Sequence, residues 1–214
     1  MRTNLRIFSG AELVLESVVT PLDLARGFAR SAPLEVDLGC GDGAFLVALA
    51  EGSPDRNFLG VEQMPGRVRG ACRKIGDRAL PNARILRLEI SHSLSLFPRG
   101  SVDVFHLLFP DPWPKRRHHV RRVVTPEFLR AAARALAGGG IFQIKTDQED
   151  YLGAMKQAAG GVRELEAIVE DEDRPGPTTT FEERFRAAGL PIFRLTLRKF
   201  SVPRGSMAAT ARSI

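Results

Sequence analysis

Two stretches of this chain bring together residues whose types and spacing could do chemistry. In DLGCGDGAF, residues 37–45, a carboxylate, Asp37, is followed by glycines at alternate positions, Gly39, Gly41 and Gly43. In LLFPDPWPKRRHHVRR, residues 107–122, Asp111 sits between Pro110 and Pro112, beside the only tryptophan, Trp113. Lys115, Arg116, Arg117, His118, His119, Arg121 and Arg122 follow, with only Val120 interrupting. Glycines of this spacing let a backbone turn tightly and approach a ligand closely. Two prolines restrict the backbone around a single carboxylate, which fixes where its charge stands.

The glycine loop fits two cofactors. With Ala44 it satisfies G-x-G-x-x-[GA], and Glu62 follows about twenty residues later at a strand end, where a dinucleotide's ribose ligand would be. It also satisfies G-x-G-x-G preceded by an acid, the pattern of enzymes that use S-adenosylmethionine. In that case Asp37 can hold the cationic methionine ammonium while Glu62 accepts from the ribose hydroxyls. Asp37 favours the methyl donor, because a carboxylate this close would repel a pyrophosphate. Glu89, at the end of the next strand, is then expected near the adenine edge.

The elements that must position these residues can be read from periodicity. LEVDLG (34–39), NFLGVE (57–62), ARILRLEI (83–90), VDVFHLLF (102–109), IFQIKT (141–146) and PIFRLTLRKF (191–200) read as strands. Helices are expected from Pro21 through PLDLARGFAR, over 43–51, from Pro65 to about Gly76, and over TPEFLRAAARALAGGG, with Thr125 as N-cap and the glycines as its end. Two more are expected from Asp147 to about Ala159 and over TFEERFRAAG (180–189). On local grounds Asp147 reads as an N-cap after Thr146, and Thr179 and Thr180 as a helix start with Glu182 or Glu183 in its first turn. Strand and helix alternate over more than a hundred residues, which argues a doubly wound α/β sheet.

Composition narrows the class. The chain has 214 residues, enough to bury a full core, with 43% hydrophobic residues and a net charge of +6. It shows no apolar run of membrane-spanning length and no secretory leader pattern. Two cysteines, Cys40 and Cys72, lack metal-ligand spacing and suit a reducing compartment, so a cytoplasmic protein without a metal is expected. Only five of the 31 basic residues are lysines. That arginine-rich basicity fits phosphate recognition or simply a GC-rich genome, and the second suffices by itself, so the charge suggests an acidic partner without deciding it. Residues 1–30 read as an arm with a helix and 31–200 as the main domain. Residues 201–214 read as a disordered tail whose VPRGS resembles a protease-cleavage linker.

With FPDPWPKRRHHVRR after the fourth strand, TDQEDY (146–151) after the fifth and TTFE (179–182) before the last helix, the sequence resembles the bacterial tRNA (guanine-N7)-methyltransferase family over roughly residues 30–200. That resemblance implies a seven-stranded, mostly parallel sheet of the class I methyltransferase type. It also implies methyl transfer from S-adenosylmethionine to guanine N7 in the variable loop of tRNA. Position by position it implies Asp37, Gly39, Gly41, Glu62, Glu89 and Asp111 around the cofactor, with Asp111 also at the reaction centre. Lys115, Asp147, Thr179, Thr180, Phe181 and Glu182 are implied at the substrate. The basic run would supply phosphate contacts that position a folded RNA. Glu89 stands where a shorter Asp or Asn is usual, and Pro114 where a polar residue is common. Two rival readings are an NAD-dependent oxidoreductase and a non-catalytic RNA-binding protein on a methyltransferase scaffold.

Overall fold

Short apolar runs alternate with segments of helical period, and in the computed structural model, which describes residues 5–169 and 177–201, they fold into one sheet covered on both faces. The parallel strands are β3 (Leu34–Leu38), β4 (Asn57–Glu62), β5 (Ala83–Arg87), β6 (Val102–Leu108) and β7 (Leu136–Thr146). Short β8 (Leu165–Ile168) and β9 (Phe193–Lys199) close the sheet, β9 running antiparallel between β7 and β8. The order β5-β4-β3-β6-β7-β9-β8 supplies the seven strands expected. β1 (Leu5–Ser9) and β2 (Glu12–Leu15), an antiparallel hairpin turning at Gly10 (φ +56°), extend the sheet to nine.

That hairpin replaces the expected N-terminal arm. Ser-Gly between two apolar runs is a turn signal, and burial of Leu5 and Leu13 holds the hairpin beside β5. The helix expected from Pro21 shrinks to α1 (Leu24–Gly27).

On one face lie α2 (Ala44–Gly52) and α3 (Pro65–Asp77), which bury Leu46, Val47, Ala50, Val68, Ala71 and Ile75 against Phe58 and Ile85. The other face carries α4 (Ile90–Leu96), α5 (Pro126–Ala135) and α6 (Glu149–Gly160) around Phe97, Phe105, Phe128 and Phe142. Each such fully buried phenyl ring contributes about 1.5–3 kcal/mol by leaving water. Thr125 caps α5 as expected, its Oγ1 accepting from Phe128 N at 3.2 Å.

Two boundaries differ from expectation. The strand expected over 83–90 stops at Arg87, because Glu89 starts α4 by accepting from His92 N at 3.0 Å. The glycines after α5 do not end it in a loop. They lie inside β7, where Gly139 at φ +80° accompanies a register shift opposite Val102–Val104. The expected tail from residue 202 onward lies outside the described residues. No helix among those described is long and apolar enough to cross a membrane.

Gly60 marks how tightly the site-bearing strands pack. A Cβ there would lie 2.6 Å from Cys40 Sγ and 2.8 Å from Ile85 Cδ1. Gly60→Ala is expected to lower stability by about 1–3 kcal/mol through overpacking, measured as a lower urea midpoint with an unchanged slope.

Candidate functional site

The strand order reverses between β3 and β6, and the loops after their carboxyl ends flank that switch point. This is where open α/β sheets bind ligands. The loop after β3 carries the three glycines, all left-handed, at φ +80° (Gly39), +57° (Gly41) and +75° (Gly43). A Cβ on Gly39 or Gly41 would meet nothing within 4 Å, so those positions need glycine for their backbone. Gly43 needs it twice, since its Cβ would sit 2.7 Å from that of Ala71.

Two carboxylates surround this loop. Glu62, at the end of β4 and 4% exposed, accepts from Gly41 N at 3.1 Å and Met64 N at 2.8 Å. It braces the loop from below, and each oxygen keeps a further lone pair. Asp37 on β3 is 3% exposed. Burial pushes its carboxyl up to about 7. The His106 charge opposes that rise, and Glu62 adds to it. Glu89 lies two residues beyond β5 as the α4 cap, its Oε1 also accepting from Ser91 Oγ at 3.3 Å. It shares a cleft of about 430 Å³ with Ser91, Val120, Arg121, Thr125 and Phe128.

The proline elbow follows β6. Both its ends are strained: Phe109 and Trp113 are non-glycine residues at φ +54° and +44°. Asp111 is exposed at the tip between them. Phe109 is held by its N–H donating to Lys145 O at 2.8 Å and by stacking on Phe181 and Phe185, with centroids 6.2 and 5.7 Å away. Trp113 packs under the Arg121 guanidinium at 4.9 Å and against the His118 ring edge at 5.9 Å.

The basic run is not uniform. Residues 116–121 form a 3-10 turn, and Lys115, Arg116, Arg117 and Arg121 are exposed. Arg122 is buried, contrary to its expected place among the phosphate contacts. Its Nε donates to Pro112 O at 2.8 Å, its Nη2 pairs with Asp150 at 2.5 Å, and its guanidinium lies 4.6 Å over Tyr151. It therefore ties the elbow to α6. Its partners, the exposed Asp150 and the buried Tyr151, belong to TDQEDY.

The remaining candidates converge on the same edge. α7 (Thr180–Ala187) is capped by Thr179, whose Oγ1 accepts from Glu182 N at 3.0 Å. Thr180 opens the helix and Phe181 is 57% exposed. Glu182 is 1% exposed and meets three cations, Lys145 at 2.6 Å, Arg186 at 2.7 Å and Arg194 at 3.6 Å. Lys145 and Arg186 hold its carboxyl below the usual range despite burial, and the network anchors α7 on β7 and β9. Asp147 is not the cap of α6, which is Gln148. Asp147 accepts from the Gln148 side chain at 2.8 Å in the loop after β7. Sequence reading missed Phe109, Phe185 and the structural role of Arg122. A period-four spacing of Phe181 and Phe185 was the available signal.

Asp37 allows a stability test with a defined sign. Its folded value of about 7 exceeds its ordinary one, so its cost to the fold is absent at low pH and grows as pH rises through that window. Asp37→Asn is expected to stabilise the protein by about 1–3 kcal/mol at pH 8, a gain that fades below about pH 4, read from urea unfolding at both values.

Comparison with known proteins agrees with this geometry. A family model described as "Putative methyltransferase" matches residues 31–195. The tRNA (guanine-N(7)-)-methyltransferase of Leifsonia xyli subsp. xyli is 39% identical over 187 residues, covering 83% of this chain and 81% of the relative. That of Aeromonas hydrophila subsp. hydrophila is 35% identical, with 93% and 90% covered. Among solved structures, the aminoglycoside resistance methyltransferase NpmB1 superposes with a TM-score of 0.61 at 19% identity, covering 91% of this chain and 99% of that one. TrmN from Thermus thermophilus superposes at 0.57 with 19% identity, covering 80% and 45%. At such identities the superpositions speak for the fold, the doubly wound sheet of class I methyltransferases. The sequence relatives go further: the chain belongs to the tRNA (guanine-N(7)-)-methyltransferase family.

Proposed function

We propose that the protein transfers a methyl group from S-adenosylmethionine to N7 of a guanine in the variable loop of tRNA. One observation carries this reading. The glycine cradle with its buried Asp37 and the strained elbow presenting Asp111 lie on either side of one strand pair, β3 and β6. The residues fit the cofactor: Asp37 offers a carboxylate to a cationic ammonium, Gly39 and Gly41 leave open space, and Glu62 has acceptor capacity for ribose hydroxyls. Glu89 bounds the adenine side. When bound, S-adenosylmethionine supplies an electrophilic methyl group on a sulfonium.

The nucleophile needs little help. Guanine N7 carries an unprotonated lone pair on the major-groove edge, so no side chain must remove a proton from it. The protein's task is orientation, an effect of up to about 7–11 kcal/mol. Asp111 favours the positive charge that develops on the base and can accept from the guanine N1–H and amino group. Phe109 and Arg122 hold the elbow, while Phe181, Thr179, Thr180, Asp147 and Glu182 border the substrate side. Lys115, Arg116, Arg117 and Arg121 face outward to meet phosphates.

Labelled-methyl transfer to bulk tRNA, with the modified nucleoside identified by mass, tests the reaction. An N7-methylguanosine product is expected. In single turnover at saturating tRNA and cofactor, Asp111→Asn and Asp111→Ala are expected to slow transfer by about 10²–10³ while retaining tRNA affinity. A wild-type rate in Asp111→Ala would make Asp111 structural.

The basic run separates by salt. Arg121→Gln or Arg117→Gln is expected to flatten the dependence of log tRNA affinity on log salt by about 0.7–0.9 per contact. Arg122→Gln should lower stability and leave that slope unchanged. Equal flattening by all three would place Arg122 on RNA.

A further inference from the structure

Around Glu182 the chain gathers more positive charge than attachment of a helix requires. Lys145 on β7 and Arg194 on β9 are register partners on antiparallel strands. Two like charges thus stand directly opposite one another, an arrangement that is unfavourable by itself. Arg186 joins them from α7, four residues after Glu182. One carboxylate serves all three. Its Oε2 takes Lys145 at 2.6 Å and its Oε1 takes Arg186 at 2.7 Å. Arg194 Nη2 stands 3.6 Å from Oε1, beyond hydrogen-bond reach.

The Lys145–Glu182 pair already joins α7 to the sheet, so the two arginines are surplus to that task. The surplus faces solvent: the Arg186 side chain is 56% exposed and that of Arg194 36%, over a carboxylate that is 1% exposed. Among the described residues neither arginine has a second carboxylate within ion-pair distance. Their donors form planar forks suited to paired oxygens, as in a phosphate.

The place of this charge is informative. Ile144 and Leu195 turn into the core shared with α5 and α6, so Lys145 and Arg194, each one residue away, point to the opposite face of the sheet. The basic 3-10 turn belongs to the first face, since Arg122 ties its end to Asp150 on α6. The elbow lies between the two. Lys145 accepts from Phe109 N–H through its carbonyl, two residues before Asp111, and the exposed Phe181 ring beside Glu182 stacks on Phe109. Cations next to an exposed aromatic ring are the combination that holds unpaired nucleotides, the ring meeting a base and the cations its backbone.

We propose that Arg186 and Arg194 form a phosphate site for the RNA strand that carries the target guanine, on the other side of the elbow from the basic 3-10 turn. This rests on the reading that the protein methylates tRNA. The strand then crosses Asp111 between two electropositive grips, and Glu182 is the buried counter-ion that lets three cations share one place.

The test is the salt dependence of binding to an unmodified tRNA transcript, read beside calorimetric binding of S-adenosylhomocysteine. Arg186→Gln and Arg194→Gln are each expected to flatten the plot of log affinity against log salt by about 0.7–0.9, the share of one phosphate contact. S-adenosylhomocysteine affinity should stay at the wild-type value. Lys145 still pairs with Glu182 in both variants, so either suffices should the other fail to fold. Arg194→Lys keeps the charge and is expected to keep the wild-type slope. If both glutamine variants keep that slope while the wild type still forms N7-methylguanosine, the inference alone is overturned. The same holds if Arg194→Lys flattens the slope as much as Arg194→Gln, which would make the arginine's role structural. A wild-type affinity indifferent to salt would instead remove tRNA as the partner, and both readings fall.

Discussion

The parallel pairing of β3 with β6 is the constraint on which the site depends. It sets Val36 opposite Phe105 and Asp37 opposite His106. The two loops that follow are thereby fixed side by side at the point where the sheet changes winding direction. Neither loop could hold its shape alone. The glycine loop is braced by Glu62 and by Gly39 and Cys40 donating to Val61 O, and the elbow by Lys145, the carbonyl of which receives Phe109 N–H. Each loop is therefore stabilised from a strand next to its own, β4 for one and β7 for the other. A slip of one residue in β3 would turn Asp37 and Glu35 to the opposite face.

The elbow shows how strain at a site is offset by its surroundings. Left-handed backbone at a non-glycine residue costs on the order of 1–3 kcal/mol. Phe109 is opposed by two aromatic stacks from α7, and Trp113 by a cation and an imidazole edge from the same turn. Arg122 then fastens Pro112 to α6. Two helices distant in sequence thus determine where Asp111 stands. α7 in turn depends on one buried carboxylate: Glu182 with Lys145 and Arg194 attaches it to the sheet. Removing one partner from such a buried cluster generally leaves an uncompensated charge.

How much of this was legible follows from what kind of signal each feature leaves. The parallel strands, the glycine loop and the capped α5 leave local marks, namely apolar runs, alternating glycines, and Thr-Pro before a helical period. Features decided by tertiary context do not. Arg121 and Arg122 are neighbours of identical type, yet one is exposed over Trp113 and the other buried against Tyr151. Only the fold tells them apart. Glu89 looks like the end of a strand because ARILRLEI reads as a strand to its last residue. The competing force is its capping bond to His92 N, which outweighs β-propensity for its last residues. Gly138–Gly140 resemble a helix stop and lie in a bulged strand, since glycine punctuates both. The Glu35–His106 pair left the faintest mark, a half-buried carboxylate and a buried imidazole on otherwise apolar strands.

The two acids at the heart of the site are chemically identical and electrostatically unlike. Asp37 is sealed beneath a loop, where burial opposes its charge. Asp111 stands exposed on a rigid tip. Both suit cationic chemistry, since a methyl transfer from sulfonium to guanine moves positive charge from one partner to the other. In the proposed reaction a carboxylate on the cofactor side would steady a permanent cation, and a desolvated charge binds its counterpart more strongly. A carboxylate on the base side must meet charge that appears only as the reaction proceeds, and does so best where geometry, not depth, is fixed. The prolines, the stacked phenyl rings and Arg122 supply that fixity without burying Asp111. In the proposed reaction the same residue type would thus serve two tasks, distinguished by environment.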